Sequence, residues 1–358
     1  MGAGYSLLAV PLWLKQWPSY MRAGYEARER AASEESGFGS LQAWRGAEDQ
    51  RGRSVLITGV NTGLGRECAR EMAMRMATVH LLCRSAERGG AARDEIVRES
   101  GNANVLLHVV DVASFAAVRA FAEQFNTEHG VLDVLVNNAG VIATDNAITA
   151  DGVESTLAVM LGGSFLLTAL LLPSLRRGES GHVVNVCSAG MFTVKAEPDD
   201  LQMGARSFDP MLQFARVKRV QGELTELWAE RLRHSNVVVN AMHPGYAATR
   251  GTRAMSGVGG DKSKGGFYRQ HGSKLRTAVQ GADTMVWLAC CPPRVMERTG
   301  LLYFDRQPAE WHLRKTGTSL KADEAERLWS GCEELCGVKD DLFEALWGVN
   351  EKEESTFL

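Results

Sequence analysis

The chain of 358 residues has no excess of basic charge. Its 40 lysines and arginines are spread along the sequence and face 43 acids, which gives a formal net charge of −3. Proteins that bind nucleic acid concentrate basic residues on one surface. We therefore expect no nucleic acid among the partners of this protein.

The seven cysteines indicate no disulfide framework. Their number is odd and their spacing does not repeat, which favours an intracellular, reducing compartment. Cys332 and Cys336 are four residues apart and could share a helix face. No pair of histidines follows them at the spacing of a zinc site, so we expect two half-buried thiols and no metal.

Unbroken apolar runs of about 18 residues, the length that a transmembrane helix requires, are also missing. Residues 1–17 come nearest: they contain no acid, but Pro11 interrupts their apolar run and Lys15 ends it. We interpret them first as an amphipathic segment on a membrane or a partner protein, which predicts peripheral membrane or organelle association. Three alternatives stay open: an organelle-targeting segment, a helix packed on its own domain, and acylation of Gly2 within a Met-Gly-x-x-x-Ser/Thr pattern.

Alternating strand and helix patterns fill most of the remaining sequence. A polar stretch from Ala27 to Arg53 is typical of a linker, so residues 1–53 form an N-terminal extension. Residues 54–310 then alternate buried apolar strands with helices, which is the pattern of a parallel sheet covered on both faces. The sequence therefore predicts an α/β fold, a single Rossmann-type, doubly wound domain of about seven strands, the last from Gly300 to Gln307.

The C-terminal residues 311–358 form a tail outside this domain. Apolar residues at helical spacing from Leu328 to Trp347 predict two short amphipathic helices, packed on the domain or on a partner. Two long helices are expected within the domain, at Gly152–Leu175 and Leu212–Arg233. They could form a homodimer face, or they could belong to the core because they are strongly apolar.

Two segments, residues 191–211 and 250–276, interrupt the alternation of strands and helices. Both follow the carboxyl ends of strands, where open α/β sheets bind their ligands. Their glycine and polar content predicts lids over a substrate pocket, with bare connecting loops as the alternative.

A glycine-rich turn follows the first predicted strand. In TGVNTGLG, Thr58 to Gly65, Gly59 permits a sharp turn and Gly63 lets the backbone approach a pyrophosphate. Gly65 allows close packing between helix and strand. The helix that starts here offers free N–H groups and a positive dipole end to phosphates. The sequence therefore predicts a nicotinamide dinucleotide site.

The end of the second strand indicates which dinucleotide is preferred. An acid there would bond the ribose 2′-hydroxyl of NAD and repel the 2′-phosphate of NADP. This strand ends instead in Cys83-Arg84-Ser85. Because a guanidinium can make a bidentate contact with phosphate, Arg84 favours NADP(H) over NAD(H), the alternative being an arginine that is simply exposed to solvent.

Several short motifs follow the glycine-rich turn in a fixed order. They are Asp111-Val112, NNAG at Asn137–Gly140, NVCS ending at Ser188, Lys218, and HPGYAAT at His243–Thr249. In this order they resemble the short-chain dehydrogenase/reductase superfamily over roughly residues 55–306. Stretches such as HLLCR, LHVVDV and QGADTMVWLA are most similar to the member-twelve branch of the vertebrate dehydrogenase/reductase series, which neighbours the retinol dehydrogenases.

The resemblance implies how a nucleotide would lie. It places Asp111 at the adenine, Asn138 and Gly140 near the ribose and phosphate, backbone after Gly245 at the carboxamide, and Thr249 near the pyrophosphate. The full expected set of cofactor-binding residues is Gly59, Asn61, Thr62, Gly63, Leu64, Gly65, Arg84, Asp111, Val112, Asn138, Ala139, Gly140, Lys218, Pro244, Gly245 and Thr249.

The resemblance also implies the chemistry of the reactive centre. In this superfamily a Tyr hydroxyl exchanges a proton while hydride moves to or from nicotinamide, and a Lys four residues later lowers the phenol pKa and holds the ribose. A Ser polarises the carbonyl, and an Asn on the central helix supports a relay water. Ser188 and Lys218 match the Ser and the Lys, but Phe214 stands in the Tyr position and Met160 in the Asn position.

Two functions are compatible with this site. Loss of a positioned general acid typically costs about 10²–10⁴-fold in rate, so the first is a catalytically impaired nucleotide-binding protein, a structural or scaffold subunit of a larger assembly. The second is an active NADPH-dependent carbonyl or alcohol oxidoreductase on a lipid-like or retinoid-like substrate. It would use a substituted acid, for which Tyr246, Tyr268 and His271 are the candidates.

Overall fold

The computed structural model describes residues 6, 9–35, 49–204, 207–249, 271–290 and 293–338. Its centre is an eight-stranded sheet. In chain order the strands are β1 (Ser54–Thr58), β2 (Thr78–Cys83), β3 (Val105–Val109), β4 (Val134–Asn137), β5 (Gly181–Val186), β6 (Val237–Met242), β7 (Leu302–Phe304) and β8 (Gln307–Ala309). Gly2, Tyr268 and the second expected helix of the tail lie outside the described residues, as does most of the second expected lid.

The order of the strands across the sheet is β3-β2-β1-β4-β5-β6-β7-β8. β1 pairs in parallel with both β2 and β4, so successive crossovers run in opposite directions from β1. The strands are rich in Val, Leu and Ile, and Val55, Leu56 and Ile57 of β1 are fully buried because both faces of the sheet are covered. This arrangement confirms the predicted Rossmann-type α/β fold and opens a crevice at the carboxyl end of β1.

The predicted seventh strand is a hairpin, so the prediction of one strand from Gly300 to Gln307 is wrong. β7 and β8 pair in antiparallel fashion across a two-residue connection, Asp305 and Arg306. These two residues have φ angles of +48° and +62°. Positive φ at both central residues is what the tight hairpin turn with the right-handed strand twist requires. Neither residue is a glycine or an asparagine, so the sequence carried no turn signal there.

Helices cover both faces of the sheet. In chain order they are α1 (Ala9–Tyr20), α2 (Arg22–Glu35), α3 (Gly63–Met74), α4 (Ala86–Ser100), α5 (Phe115–Glu128), α6 (Ser155–Arg177), α7 (Pro210–Arg231), α8 (Ala278–Ala289), α9 (Pro293–Met296) and α10 (Ala322–Cys336). The first expected lid contains two short 3₁₀ turns, Ala189–Thr193 and Pro198–Asp200. α7 starts two residues before the predicted Leu212, because the Asp209 carboxylate accepts hydrogen bonds from two backbone N–H groups and Pro210 follows it.

Two apolar layers flank the sheet. One is formed with α5, α6 and α7, and it also receives Leu328, Trp329 and Cys332 of α10. The other is formed with α3, α4 and α8. The first part of the tail therefore packs on its own domain, and Cys332 and Cys336 are fully buried rather than half-buried. The six described cysteines are all free thiols.

α6 is the central helix of the first layer. It is long and apolar enough to cross a membrane by length and composition, with a mean hydropathy of 2.0 over its most apolar window, although polar residues such as Ser164 interrupt its apolar run. The domain buries 83% of that window. We therefore assign α6 to the protein core. Its middle, Leu161–Leu166, is a π-helical segment.

The N-terminal helices α1 and α2 pack against the carboxyl end of the sheet. The backbone oxygen of Tyr20 accepts hydrogen bonds from the Tyr246 amide (2.9 Å) and from Arg276 Nε (3.0 Å). The linker prediction is wrong for residues 27–35, which belong to α2. Their alanines, glutamates and arginines favour a helix, and this propensity outweighed the polar composition that indicated a linker.

Candidate nucleotide-binding and reactive site

A cleft of about 780 Å³ opens at the carboxyl ends of the parallel strands. Ligand pockets commonly enclose about 300–1,000 Å³, so the cleft can hold a cofactor and part of a substrate. Every residue of the expected cofactor-binding set lines it except Gly65. The reactive-centre residues Ser188, Phe214 and Lys218 line the same cleft.

The glycine-rich turn forms the floor of the cleft. Gly59 turns the chain with a φ of +72°, which only glycine adopts at low cost. A side chain at Gly65 would place its Cβ 2.5 Å from Asn138 Nδ2 and 2.6 Å from Gly59 O, so the start of α3 lies directly against this turn. Gly65 therefore serves packing, as the sequence predicted, and it leaves the first N–H groups of α3 facing the cleft.

Asn138 braces the turn from the neighbouring strand. Its Nδ2 donates to the backbone oxygens of Thr58 (2.8 Å) and Gly59 (3.3 Å). In return, Thr58 Oγ1 accepts from the backbone N–H groups of Asn138 (3.0 Å) and Ala139 (2.8 Å). These bonds fix the turn before any ligand binds, which lowers the entropy cost of binding a pyrophosphate.

Two arginines stand at the adenosine end of the cleft. Arg84 follows β2, and its side chain is 68% exposed with one guanidinium nitrogen 3.9 Å from an Asp111 carboxylate oxygen. Arg88 also lines the cleft, and the sequence analysis missed it. Arg84 lies before the start of α4, so no helical spacing between the two arginines marked Arg88 in the sequence. The end of β2 itself is Cys83, so no acid stands there.

The reactive end of the cleft contains a lysine and an aromatic ring in place of the expected lysine and phenol. Lys218 Nζ lies 6.0 Å from the centroid of the Phe214 ring, one turn earlier on α7. Ser188 Oγ accepts a 3.4 Å hydrogen bond from the Gly190 amide. The structure thus brings Ser188, Phe214 and Lys218 together as the sequence predicted, and a phenyl ring has no proton to exchange.

Lys218 is anchored from the interior of the domain. Its ammonium donates to Val186 O (2.7 Å) and to Gln221 Oε1 (2.8 Å). Gln221 Nε2 in turn donates to Ser164 Oγ (3.3 Å), which donates to Asn185 Oδ1 (3.1 Å). Burial lowers the pKa of Lys218 to about 8. The sequence analysis found Lys218 but missed this buried chain of polar side chains, because its members come from three separate elements.

Met160 does not reach the cleft. Its side chain is buried in the core layer beneath α6, and the preceding residue, Val159, lines the cleft instead. Met160 directly precedes the π-helical segment, where the helix changes its pitch. Neither Val159 nor Met160 carries an amide or another polar group that could act as the expected Asn does.

Of the proposed substitute acids, the structure places Tyr246 in the cleft wall. Its ring lies 4.5 Å from the Trp17 ring, and burial raises its pKa well above that of an ordinary phenol. His271 lies outside the cleft lining, with its ring 5.8 Å from that of Trp17. Tyr268 is outside the described residues.

Helix α1 contributes an apolar wall to the cleft, which agrees with the alternative of a helix packed on its own domain rather than with the first interpretation of residues 1–17. Val10, Trp13 and Trp17 line the cleft beside Tyr246. Their i, i+3/i+4 spacing was visible in the sequence, but it was interpreted as a surface for a membrane or a partner. Part of that apolar face is used within the chain itself.

Comparisons with known proteins agree with this geometry. Residues 53–197 match the short chain dehydrogenase family. Dehydrogenase/reductase SDR family member 12 from Bos taurus is 40% identical over 284 residues, which are 79% of this chain and 86% of that protein. The chain belongs to the short-chain dehydrogenase/reductase family. The resemblance expected from its motifs is thereby confirmed.

Further relatives support the same family. Retinol dehydrogenase 12 from Bos taurus is 35% identical over 291 residues, 80% of this chain and 87% of that protein. A solved structure of a Mycobacterium paratuberculosis protein superimposes with a TM-score of 0.63 at 29% identity, covering 81% of this chain and 95% of that one. The family has an oxidoreductase fold that binds a nicotinamide nucleotide.

Proposed function

We propose that this protein binds NADP(H) in its cleft, is catalytically impaired, and serves as a structural or scaffold subunit of a larger assembly. One observation carries the proposal: Phe214 stands beside Lys218 at the reactive end of a cleft that otherwise has the complete nucleotide-binding lining. The chain thus keeps the residues expected to bind the nucleotide, whereas Phe214 replaces the residue expected to exchange the proton.

Hydride transfer to a carbonyl requires a proton for the developing alkoxide. Phe214 cannot supply it, and Tyr246 is the one phenol among the described residues of the cleft lining. Burial raises the pKa of Tyr246, which makes it a weak acid. Removal of a general acid typically costs about 10²–10⁴-fold in rate, which is enough to make turnover very slow.

NADP(H) is the proposed nucleotide because two cations flank the place of the adenosine ribose. Arg84 and Arg88 both line that end of the cleft, and Cys83 replaces the acid that would repel a 2′-phosphate. Asp111, 3.9 Å from Arg84, is the one carboxylate among the described residues of the cleft lining and would be left to contact the adenine.

A structural role is compatible with tight cofactor binding. A ligand that binds only the folded state stabilises it in proportion to the logarithm of its concentration. The surface that the domain offers to a partner would therefore be more stable when NADPH is abundant. Peripheral membrane contact through residues 1–17 and a homodimer belong to the same proposal, and Leu14 of α1, 53% exposed, is available for such a contact.

The test is a fluorescence titration of the purified chain with NADPH and with NADH, followed by an assay of NADPH oxidation with quinones, aldehydes and retinoid-like ketones. Trp13 and Trp17 line the cleft, so their emission should transfer to bound nicotinamide. We expect tighter binding of NADPH than of NADH and no oxidation above the buffer rate. Rapid turnover of any of these carbonyl compounds would overturn the proposal.

An active oxidoreductase on a lipid-like substrate is the second candidate, and the apolar wall favours it. Trp13, Trp17 and Tyr246 form one aromatic cluster against the cleft, with ring centroids 4.5–6.2 Å apart. Such a wall would accommodate an apolar chain, and Tyr246 would be the substitute acid. This candidate predicts turnover in the natural chain that Tyr246→Phe abolishes, a result opposite to the one expected above.

A further inference from the structure

Three histidines from three different elements meet at the edge of the sheet. His80 lies on β2, His108 on the edge strand β3, and His129 directly follows α5. One ring nitrogen of each lies within 4.8 Å of those of the other two. None of the three lines the nucleotide cleft, so the cluster is separate from the site described above.

The geometry is close to that of a three-imidazole metal site. His80 Nδ1 and His108 Nε2 are 3.0 Å apart. In a tetrahedral zinc site with Zn–N bonds of about 2.0–2.1 Å, neighbouring ligand nitrogens lie about 3.3 Å apart. A shift of a few tenths of an ångström would therefore bring this pair to the spacing of two zinc ligands, and a ring nitrogen of His129 lies within 4.8 Å of both.

The surroundings favour a cation. The C-terminal end of α5, whose last turn carries Glu128, points its negative dipole end at the cluster. His80 is 1% exposed, so the part of the cluster that lies on β2 is buried within the domain.

Aromatic packing explains part of this arrangement but not its convergence. The imidazoles do pack on Phe121 and Phe125, with the His80 and Phe125 centroids 4.9 Å apart. Apolar rings such as that of phenylalanine would pack equally well at these three positions. A hydrogen bond pairs His80 Nδ1 with His108 Nε2, but neither this bond nor the packing requires a ring nitrogen of His129 to lie within 4.8 Å of both.

A second group of side chains, Glu223, Glu226 and His312, also brings three ligand atoms together. There the buried guanidinium of Arg219 lies 3.7 Å from Glu223 and already supplies the positive charge. No described cation occupies the corresponding position at the histidine cluster, so the histidine cluster is the better metal site.

We propose that His80, His108 and His129 bind one Zn²⁺ ion, with water in the fourth position. The ion would tie the edge strand β3 and the end of α5 to β2. The sequence predicted no metal site because these three histidines are 28 and 21 residues apart, far beyond the short ligand spacings of common zinc motifs. Imidazole suits zinc, and the site leaves one coordination position open.

The experiment uses the full chain stripped with a chelator and titrated with Zn²⁺ in competition with a chromogenic chelator. We expect one equivalent to bind and the melting temperature to rise. Co²⁺ in place of Zn²⁺ should give the visible bands of a tetrahedral site. His108→Gln should weaken Zn²⁺ binding by at least about tenfold, since even residues beyond the direct ligands often cost 10–100-fold.

Two further variants make the result decisive. His129→Gln lies at the helix end, where folding is least sensitive, and should weaken binding to a similar extent if His108→Gln fails to fold. His234→Gln changes an exposed histidine outside the cluster and should leave the affinity for Zn²⁺ unchanged. Absence of stoichiometric binding, or binding of equal strength in His129→Gln and the natural chain, would overturn the proposal.

Discussion

Lys218 has a bonding pattern that suits a nucleotide ribose without a neighbouring phenol. Two of its three N–H donors are used by Val186 O and Gln221 Oε1. A third remains for a ribose hydroxyl. The ammonium is therefore held in place from the core side, and its role in binding does not depend on what stands at Phe214.

The first prediction concerns Gln221, which accepts from Lys218 and donates to Ser164. Gln221→Leu leaves a buried ammonium and a buried hydroxyl with fewer partners, so we expect a loss of about 1–3 kcal/mol in the free energy of unfolding. Urea denaturation measures it. Gln124→Leu, at an exposed position on α5, is the control and should change stability by less than about 0.5 kcal/mol. Equal effects would contradict the assigned role.

The second prediction concerns Arg84. Arg84→Gln removes the guanidinium expected to bind the 2′-phosphate, so the dissociation constant for NADPH should rise by about tenfold or more while that for NADH changes little, as a charge-assisted bond is worth about 1.5–3 kcal/mol. Fluorescence titration gives both constants. Arg98→Gln, an exposed arginine outside the cleft, should change neither. A parallel weakening of both nucleotides would argue against a phosphate contact.

For individual residues, the sequence was informative at positions where only one residue type can serve the role. The glycines of the turn could be predicted because their spacing is tied to backbone geometry. Lys218 and the missing phenol at Phe214 followed from the resemblance to the family. Arg88 and Gln221 could not be predicted, because many arginines and glutamines at such spacings do nothing. Whether the Met160 side chain faces the cleft or the core depended on the pitch of α6, which no local sequence pattern specifies.

Among the elements, α1 and α2 depend on one buried ion pair. Arg276, 1% exposed, pairs with Asp305, and the same guanidinium donates to the backbone oxygens of Ser19 and Tyr20. Arg28 of α2 also bonds Asp305, at 2.5 Å. The turn between β7 and β8 thus carries the carboxylate that holds the N-terminal helices against the cleft.

The third prediction follows from this ion pair. Asp305→Asn keeps the positive φ, which asparagine tolerates, but leaves two arginines without their carboxylate. We expect a loss of about 3–5 kcal/mol in the free energy of unfolding, as for other broken buried pairs. Hydrogen exchange in α1 and α2 should become faster. Asp323→Asn breaks an exposed pair with Arg327 and should change the free energy of unfolding far less, because solvent screens that pair. An equally small loss in the free energy of unfolding for Asp305→Asn would refute the role of its carboxylate in holding α1 and α2.

Element prediction succeeded for the strands and for α7, whose apolar runs and caps are local. It failed for the β7–β8 turn, because Asp305 and Arg306 adopt positive φ without any glycine. It failed for residues 27–35, because Ala, Glu and Arg are favoured in helices and are also common in polar linkers. The π-helical segment of α6 is set by packing, so its sequence carries no sign of it.

For the whole molecule, cofactor binding and folding should be linked. The cleft is lined by the turn after β1, by α7 and by α1, so a bound nucleotide contacts most of the sheet's carboxyl edge. The fourth prediction is that NADPH at about 100 times its dissociation constant stabilises the fold by about 2.7 kcal/mol and raises the melting temperature. Calorimetry with NADPH, and with NADH at equal concentration, measures it. An unchanged melting temperature with NADPH would contradict nucleotide binding.

The fifth prediction is the most direct test of the account, that a complete nucleotide site persists without a proton donor. NADPH oxidation with the same carbonyl panel should be compared in the natural chain, in Phe214→Tyr, and in Phe208→Tyr, which adds a hydroxyl outside the cleft. We expect no turnover in the first and third, and a rate at least about tenfold higher in Phe214→Tyr, below the full 10²–10⁴-fold because the Asn position is also changed. Equal turnover in the natural chain and in Phe214→Tyr would show that another group supplies the proton, and the account would be wrong.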